Sequence, residues 1–131
     1  MSHGTVAVII HSAKEAAELF KPVFAGAELE HIAVAYLQND RRLIAVEQFE
    51  AGEADGANLP IRSIVEDALR LGANAVVIAH NHPSGDPSPS AADLMASRAL
   101  AETTRNLGIQ LVDHLIFASG EFRSLRKLGL L

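Results

Sequence analysis

The feature that most restricts this chain is the run Ala75-Val76-Val77-Ile78-Ala79, followed at once by His80-Asn81-His82-Pro83-Ser84-Gly85. The run is apolar at every position, so as a strand it is buried on both faces and needs helices on either side, the arrangement of an α/β sheet. Its carboxyl end enters a Gly, Pro and Ser loop and then a helix, the place where open α/β sheets tend to put ligands. His80 and His82 are two apart. If extended geometry persists to the strand's end they share a face, with Cα atoms roughly 6.6 Å apart, and two imidazoles can converge from there. Asp93 stands in the opening turns of the following helix, with Ser90 three residues earlier on the same face. Two neutral imidazoles and one carboxylate suit zinc, and three protein ligands leave a fourth position for water, as in catalytic rather than structural sites.

A His-x-His pair in a Pro/Gly loop often does no more than satisfy backbone groups or sit in solvent. The strand before it, the helix after it and the spaced Ser90 and Asp93 turn the balance toward a metal site. The prolines and serines between residues 83 and 89 read as turn chemistry, with Ser84 and Gly85 shaping the loop rather than reacting.

The rest of the chain supplies a scaffold. Residues 6–10 are β-branched and short, a strand leading to Ser12, whose Glu15 stands at capping-box distance. A helix is expected over about residues 13–24, with Ala16, Leu19, Phe20 and Val23 in one stripe and Pro22 ending or kinking it early. Residues 30–37 and 43–49 form a hairpin around Gln38-Asn39-Asp40-Arg41. Residues 50–59 form a surface loop bordering the substrate groove. A helix opens at Pro60, buries Ile61, Ile64, Val65, Ala68 and Leu69, and stops at Gly72. After the central strand, Ser88-Pro89 opens a helix that Gly108 closes, with Leu94, Leu100, Ala101 and Leu107 on its buried side. Residues 109–112 and 115–118 are strands broken by Asp113-His114, and Ser119-Gly120 turns into a basic tail of Arg123, Arg126 and Lys127. The expected architecture is a mixed sheet flanked by helices.

The spacing His-x-His, seven residues, Ser, two residues, Asp resembles the JAMM motif of the JAB/MPN metallopeptidases. Asn81-His82-Pro83-Ser84-Gly85 narrows the resemblance to the RadC-like JAB domain, over about residues 29–125. The resemblance implies a cytidine-deaminase-like three-layer α/β fold. It implies that His80, His82 and Asp93 bind Zn2+, that Glu30 is the general acid/base, and that Ser90 assists at the oxyanion. The Glu30-His31 start of the hairpin and the Asp113-His114 pair are further features of that family. The implied chemistry is attack of a metal-bound water on an amide carbonyl, with Glu30 passing the proton to the leaving nitrogen. Glu28, Glu47 and Glu50 compete for the role of Glu30, and an exposed Glu at a strand start is commonly just solvated. His31 points to the other face from Glu30. His114 reads first as a hydrogen-bonded core histidine beside Asp113, and second as support for the metal ligands. His3 and His11 carry no signal.

Size and charge narrow the function. At 131 residues and 49% hydrophobic the chain suits one domain spanning residues 1–131, without room for the N-terminal helix-hairpin-helix region that longer RadC proteins carry. A net charge of −5 opposes the phosphate backbone, so duplex DNA binding by this domain is disfavoured. Absence of cysteine excludes thiolate zinc ligands, and with them the ligand set of a zinc nucleotide deaminase; it also fits a reducing, cytoplasmic setting. No apolar run reaches the length of a membrane span. The letters His-Asn-His alone do not make a nuclease without the ββα context. Two readings remain: a zinc-dependent peptidase or isopeptidase-like hydrolase acting on a peptide or protein substrate, and an accessory or binding module of RadC-type DNA repair whose metal is not catalytic. Oligomeric state is open.

Overall fold

Side chains alternate across a strand, so a sheet this apolar must be covered twice. The computed structural model describes residues 7–50 and 59–131, and there each face has its own helical cover. In chain order the elements are α1 (Ala13–Phe24), β1 (His31–Leu37), β2 (Leu43–Glu50), α2 (Ile61–Leu71), β3 (Ala75–Asn81), α3 (Ala91–Asn106), β4 (Gln110–Ala118) and β5 (Glu121–Ser124). The strands lie in the order β2-β1-β3-β4-β5, with β3 and β4 parallel and the other neighbours antiparallel. On one face α1 buries Ala16, Ala17 and Phe20 against Ala33, Ala35, Val77, Ala79 and Leu115. On the other, Ile64 and Ala68 of α2 and Leu100 of α3 pack on Ile32, Val34, Tyr36, Val76 and Ile78. This is the expected mixed α/β sheet in three layers, with β1 and β3 at its centre.

Several local expectations are altered. Helix α1 is capped by Ser12, whose Oγ accepts from the Glu15 amide, but it continues through Pro22 to Phe24. Near a helix end a proline removes only one backbone bond, so the helix need not stop. The expected strand over residues 6–10 appears only as an isolated bridge of Ile9 to Arg42, its backbone bonds reaching Arg41 and Leu43 at the hairpin turn rather than running along β2. Val6 lies outside the described residues. So does most of the expected surface loop: Glu50 ends β2, and residues 51–58 are outside the described set.

Asp113-His114 does not break a strand; β4 runs through it. The buried Asp113 carboxylate accepts from the His114 amide (2.7 Å), the Ser124 hydroxyl (2.5 Å) and the Arg126 amide (3.1 Å), so its burial is compensated. The basic tail is likewise part of the fold. Arg123 belongs to β5, and Arg126 Nε donates to the Val112 carbonyl at 2.5 Å. Leu107 and Leu69, expected inside, are exposed. Leu107 caps α3, where helical periodicity no longer places it on the buried side. Gly72 ends α2 as expected, in the left-handed conformation that glycine adopts without penalty. No helix of the described residues is long and apolar enough to cross a membrane.

Ile78 is fully buried at the middle of β3. Ile78→Ala is expected to destabilise the chain by about 3 kcal/mol, read as a lower midpoint with an unchanged slope in urea unfolding.

Candidate metal centre

Three pieces of backbone meet where β3 ends. Ile32 of β1 pairs with His80, so Glu30, two residues before Ile32, falls on the face that carries His80. The neighbouring Asn81 side chain fixes that piece. Its Oδ1 accepts from the His31 amide at 2.7 Å and its Nδ2 donates to the Leu29 carbonyl at 3.0 Å, gripping the chain on both sides of Glu30.

The third piece is the start of α3. Ser90, not Ser88, is the cap: its Oγ accepts from the Asp93 amide at 3.0 Å, and the Asp93 carboxylate accepts from the Ser90 amide at 2.8 Å. A cap at Ser88 would place Ala91 three residues on, which cannot complete such a box. Ser90 Oγ thus accepts from the helix while its own hydrogen remains available to a further acceptor.

Around these pieces the ring nitrogens converge. His80 Nε2 and His82 Nε2 are 3.0 Å apart. Asp93 Oδ2 is 3.1 Å from His82 Nε2, and Asp93 Oδ1 is 3.4 Å from His80 Nε2. Glu30 Oε1 stands further out, 4.0 Å from His80 Nε2. Ligands about 2.0–2.1 Å from a tetrahedral zinc lie roughly 3.3–3.4 Å from one another. The His80, His82 and Asp93 atoms fall near that spacing, whereas Glu30 lies beyond it. Ligand atoms of Glu30, His80 and His82 nevertheless lie within 4.8 Å of one another, so Glu30 borders the same point.

The hydrogen bonds behind the rings decide what the front nitrogens carry. His82 Nδ1 is 2.8 Å from the Asp86 carbonyl, which can only accept, so Nδ1 bears the proton and Nε2 of the neutral ring a lone pair. Behind His80 the chain is longer. Ser97 Oγ donates to the Asp93 carbonyl at 2.9 Å, leaving it to accept from His114 Nδ1, with which it is in close contact. Complete burial, and secondarily the neighbouring His80, hold the His114 pKa well below the usual imidazole value, so the ring is neutral and its Nε2 accepts. His80 Nδ1, 2.6 Å away, therefore donates, and His80 Nε2 faces the site with a lone pair.

Two lone pairs and a carboxylate crowded within 3.4 Å repel one another unless a positive charge lies between them. Asp93 is ionised there. Burial opposes its charge, but positive charge on the His80 side, supplied by a proton on that imidazole when no cation is bound, and the Ser90 amide outweigh burial and hold its carboxyl well below the usual carboxylate range. Two imidazole nitrogens and a carboxylate so placed could hold a metal ion, and the donor set is of a kind that suits zinc.

The structure thus brings together all five residues singled out in sequence, Glu30, His80, His82, Ser90 and Asp93. It adds Ser97 and Asn81, which were not assigned to the site, and His114, whose second reading was support for the metal ligands. Ser97 stands four residues after Asp93 on the same helix face, a spacing visible in sequence. Asn81 and His114 act through strand pairing, which spacing does not reveal. His114 is a buried core histidine, as first read, and its ring meets His80 rather than Asp113, the contact its second reading expected.

The family model described as RadC-like JAB domain matches residues 10–130. A UPF0758 protein of Acidithiobacillus ferrooxidans is 44% identical over 100 residues, covering 76% of this chain and 45% of the relative. One from Cellvibrio japonicus is 45% identical over 100 residues with the same coverage, and one from Moorella thermoacetica is 32% identical over 123 residues, covering 94% of this chain and 54% of the relative. The chain spans about half the length of these relatives.

Ser90→Ala, which removes the cap acceptor and strands the Asp93 amide, is expected to cost about 1 kcal/mol, and Ser90→Gly a few tenths. Denaturant unfolding of both variants checks the ordering.

Proposed function

The chain belongs to the family of RadC-like JAB domains, and from that premise we propose that it is a zinc-dependent hydrolase of peptide or isopeptide bonds, with Glu30 as general acid/base. The observation that carries the reading is the trio of His80 Nε2, His82 Nε2 and Asp93 carboxylate at 3.0–3.4 Å spacing, the two imidazoles held from behind and the carboxylate by the Ser90 amide. Bound there, zinc supplies Lewis acidity and brings water toward ionisation near neutral pH.

The chain's own residues supply the remainder. Glu30, largely buried and 4.0 Å from His80 Nε2, takes the proton of the attacking water at a carboxylate oxygen and returns it to the leaving nitrogen. Asn81 keeps that carboxylate in place by gripping the backbone on either side. The Ser90 hydroxyl, already accepting from α3, donates its hydrogen to the developing oxyanion. Of the residues gathered at the site, Asn81 and His82 line a groove on the α1 side of the sheet. It has a volume of about 620 Å³, with Phe24, Phe117 and Phe122 among its walls and Lys14 and Lys21 at α1. Apolar walls with a few polar groups suit the side chains that flank an amide in an extended peptide. The accessory role in DNA metabolism gains no comparable support, since Arg123 and Arg126 serve the fold.

Glu30→Gln is expected to lower kcat on a responsive peptide or isopeptide substrate by roughly 10²–10⁴ while zinc stoichiometry stays unchanged. Wild-type activity no higher than that of Glu30→Gln across a broad panel contradicts the proposal. Zinc that binds only the folded chain raises its Tm, and a chelator in excess is expected to abolish both that gain and hydrolysis. Calorimetric melting with and without chelator measures it.

A further inference from the structure

The structure assigns a task to two buried residues behind the site: we propose that His114 and Ser97 are positioning residues that hold His80 in the one tautomer and ring orientation able to bind zinc. The inference rests on the reading of His80, His82 and Asp93 as zinc holders and goes beyond it, because neither residue faces the cation position.

His80 lies at the end of β3, His114 on the parallel neighbour β4, and Ser97 and Asp93 on α3. One chain of hydrogen bonds joins all three elements. His80 Nδ1 donates to His114 Nε2 at 2.6 Å, His114 Nδ1 donates to Ser97 Oγ, and Ser97 Oγ donates to the Asp93 carbonyl at 2.9 Å. Every donor has one acceptor, and the directions follow from the terminal carbonyl, which cannot donate. The chain closes on itself through the site, since the residue whose carbonyl ends it is the residue whose carboxylate stands 3.4 Å from His80 Nε2. Two zinc holders from different elements are thereby set relative to each other by a third element.

A purely structural role is the competing account. His114 and Ser97 are both buried and might have been apolar without loss of packing, as apolar pairs of the same shape replace buried polar pairs at little net cost. What an apolar pair cannot do is accept the Nδ1 hydrogen of His80. Without that acceptor the proton is free to move to Nε2, where it blocks the ligand lone pair, and the ring is free to turn. His114 is itself held firmly, its amide donating to the buried Asp113 carboxylate that Ser124 and Arg126 also bind.

The test uses His114→Leu, His114→Gln and Ser97→Ala in the full chain. Zinc affinity is measured by competition with a chromogenic chelator, the visible spectrum is recorded with cobalt in place of zinc, and the metal-free Tm is taken for each. Glutamine carries an acceptor and a donor across one carbon, as the imidazole ring does. The expected results are a 10- to 100-fold loss of zinc affinity in His114→Leu, altered cobalt absorption, a metal-free Tm close to wild type, and recovery of most of the affinity in His114→Gln. Ser97→Ala moves affinity in the same direction and serves alone where His114→Leu does not fold. Wild-type affinity in either His114→Leu or Ser97→Ala overturns the inference. So does a loss that merely tracks a fallen metal-free Tm and that glutamine does not restore. A wild-type chain that binds no zinc overturns the zinc reading and this inference together, whereas tight wild-type binding with unaffected variants overturns this inference alone.

Discussion

The structure turns on an electrostatic conflict confined to a few ångströms: two imidazole lone pairs and an ionised carboxylate, all pointing at one place. Such a group holds together only around positive charge. Each imidazole is tied from behind by a hydrogen bond that leaves its front nitrogen unprotonated, and the carboxylate accepts from a backbone amide at the oxygen that faces His82. His82 leans on the Asp86 carbonyl, His80 on His114, and Asp93 on the Ser90 amide. That pattern of commitment is what a group able to hold a metal ion needs.

The fold exists in the form needed to bring these pieces together. A fully buried β3 ends where the sheet meets the start of α3, so two histidines leave the strand and the carboxylate comes from a helix whose first turn is locked by a capping box. The same box serves two purposes, since the carboxylate that completes it is the one that faces the histidines. On the far side the antiparallel pairing of β1 with β3 delivers Glu30. The loop that carries Asp86 is also constrained. Gly85 has φ of +97°, and a Cβ there would stand 3.0 Å from Ser119 Oγ, so a larger residue would be strained and would push on the Ser119 side chain.

Much of this was legible in sequence for identifiable reasons. The uniformly apolar run before His80 announces a central strand, and His80 and His82 share a face by strand period alone. Ser90 and Asp93 were visible as a pair three apart, but the adjoining Ser88-Pro89 offered a competing helix start, and only the reciprocal bonds decide between them. Asp113-His114 looked like a break because a polar pair in an apolar strand usually is one. Its partners, Ser124, Ser97 and His80, come from three other elements that no local rule places nearby. β5 was missed because four residues containing a Glu and an Arg carry almost no strand signal, and their pairing with β4 is a tertiary effect. Glu30 was reachable only through the family resemblance; the strand register that supports it is not written in its neighbours.

X-ray absorption at the zinc edge on the zinc-loaded chain tests the central claim most directly, since it reads the atoms around the metal without reference to any substrate. The account predicts one zinc per chain with four nitrogen or oxygen neighbours at about 2.0–2.1 Å, two of them imidazoles, and loss of one imidazole in His80→Ala. A six-neighbour shell with at most one imidazole, or a spectrum unchanged by His80→Ala, would contradict it.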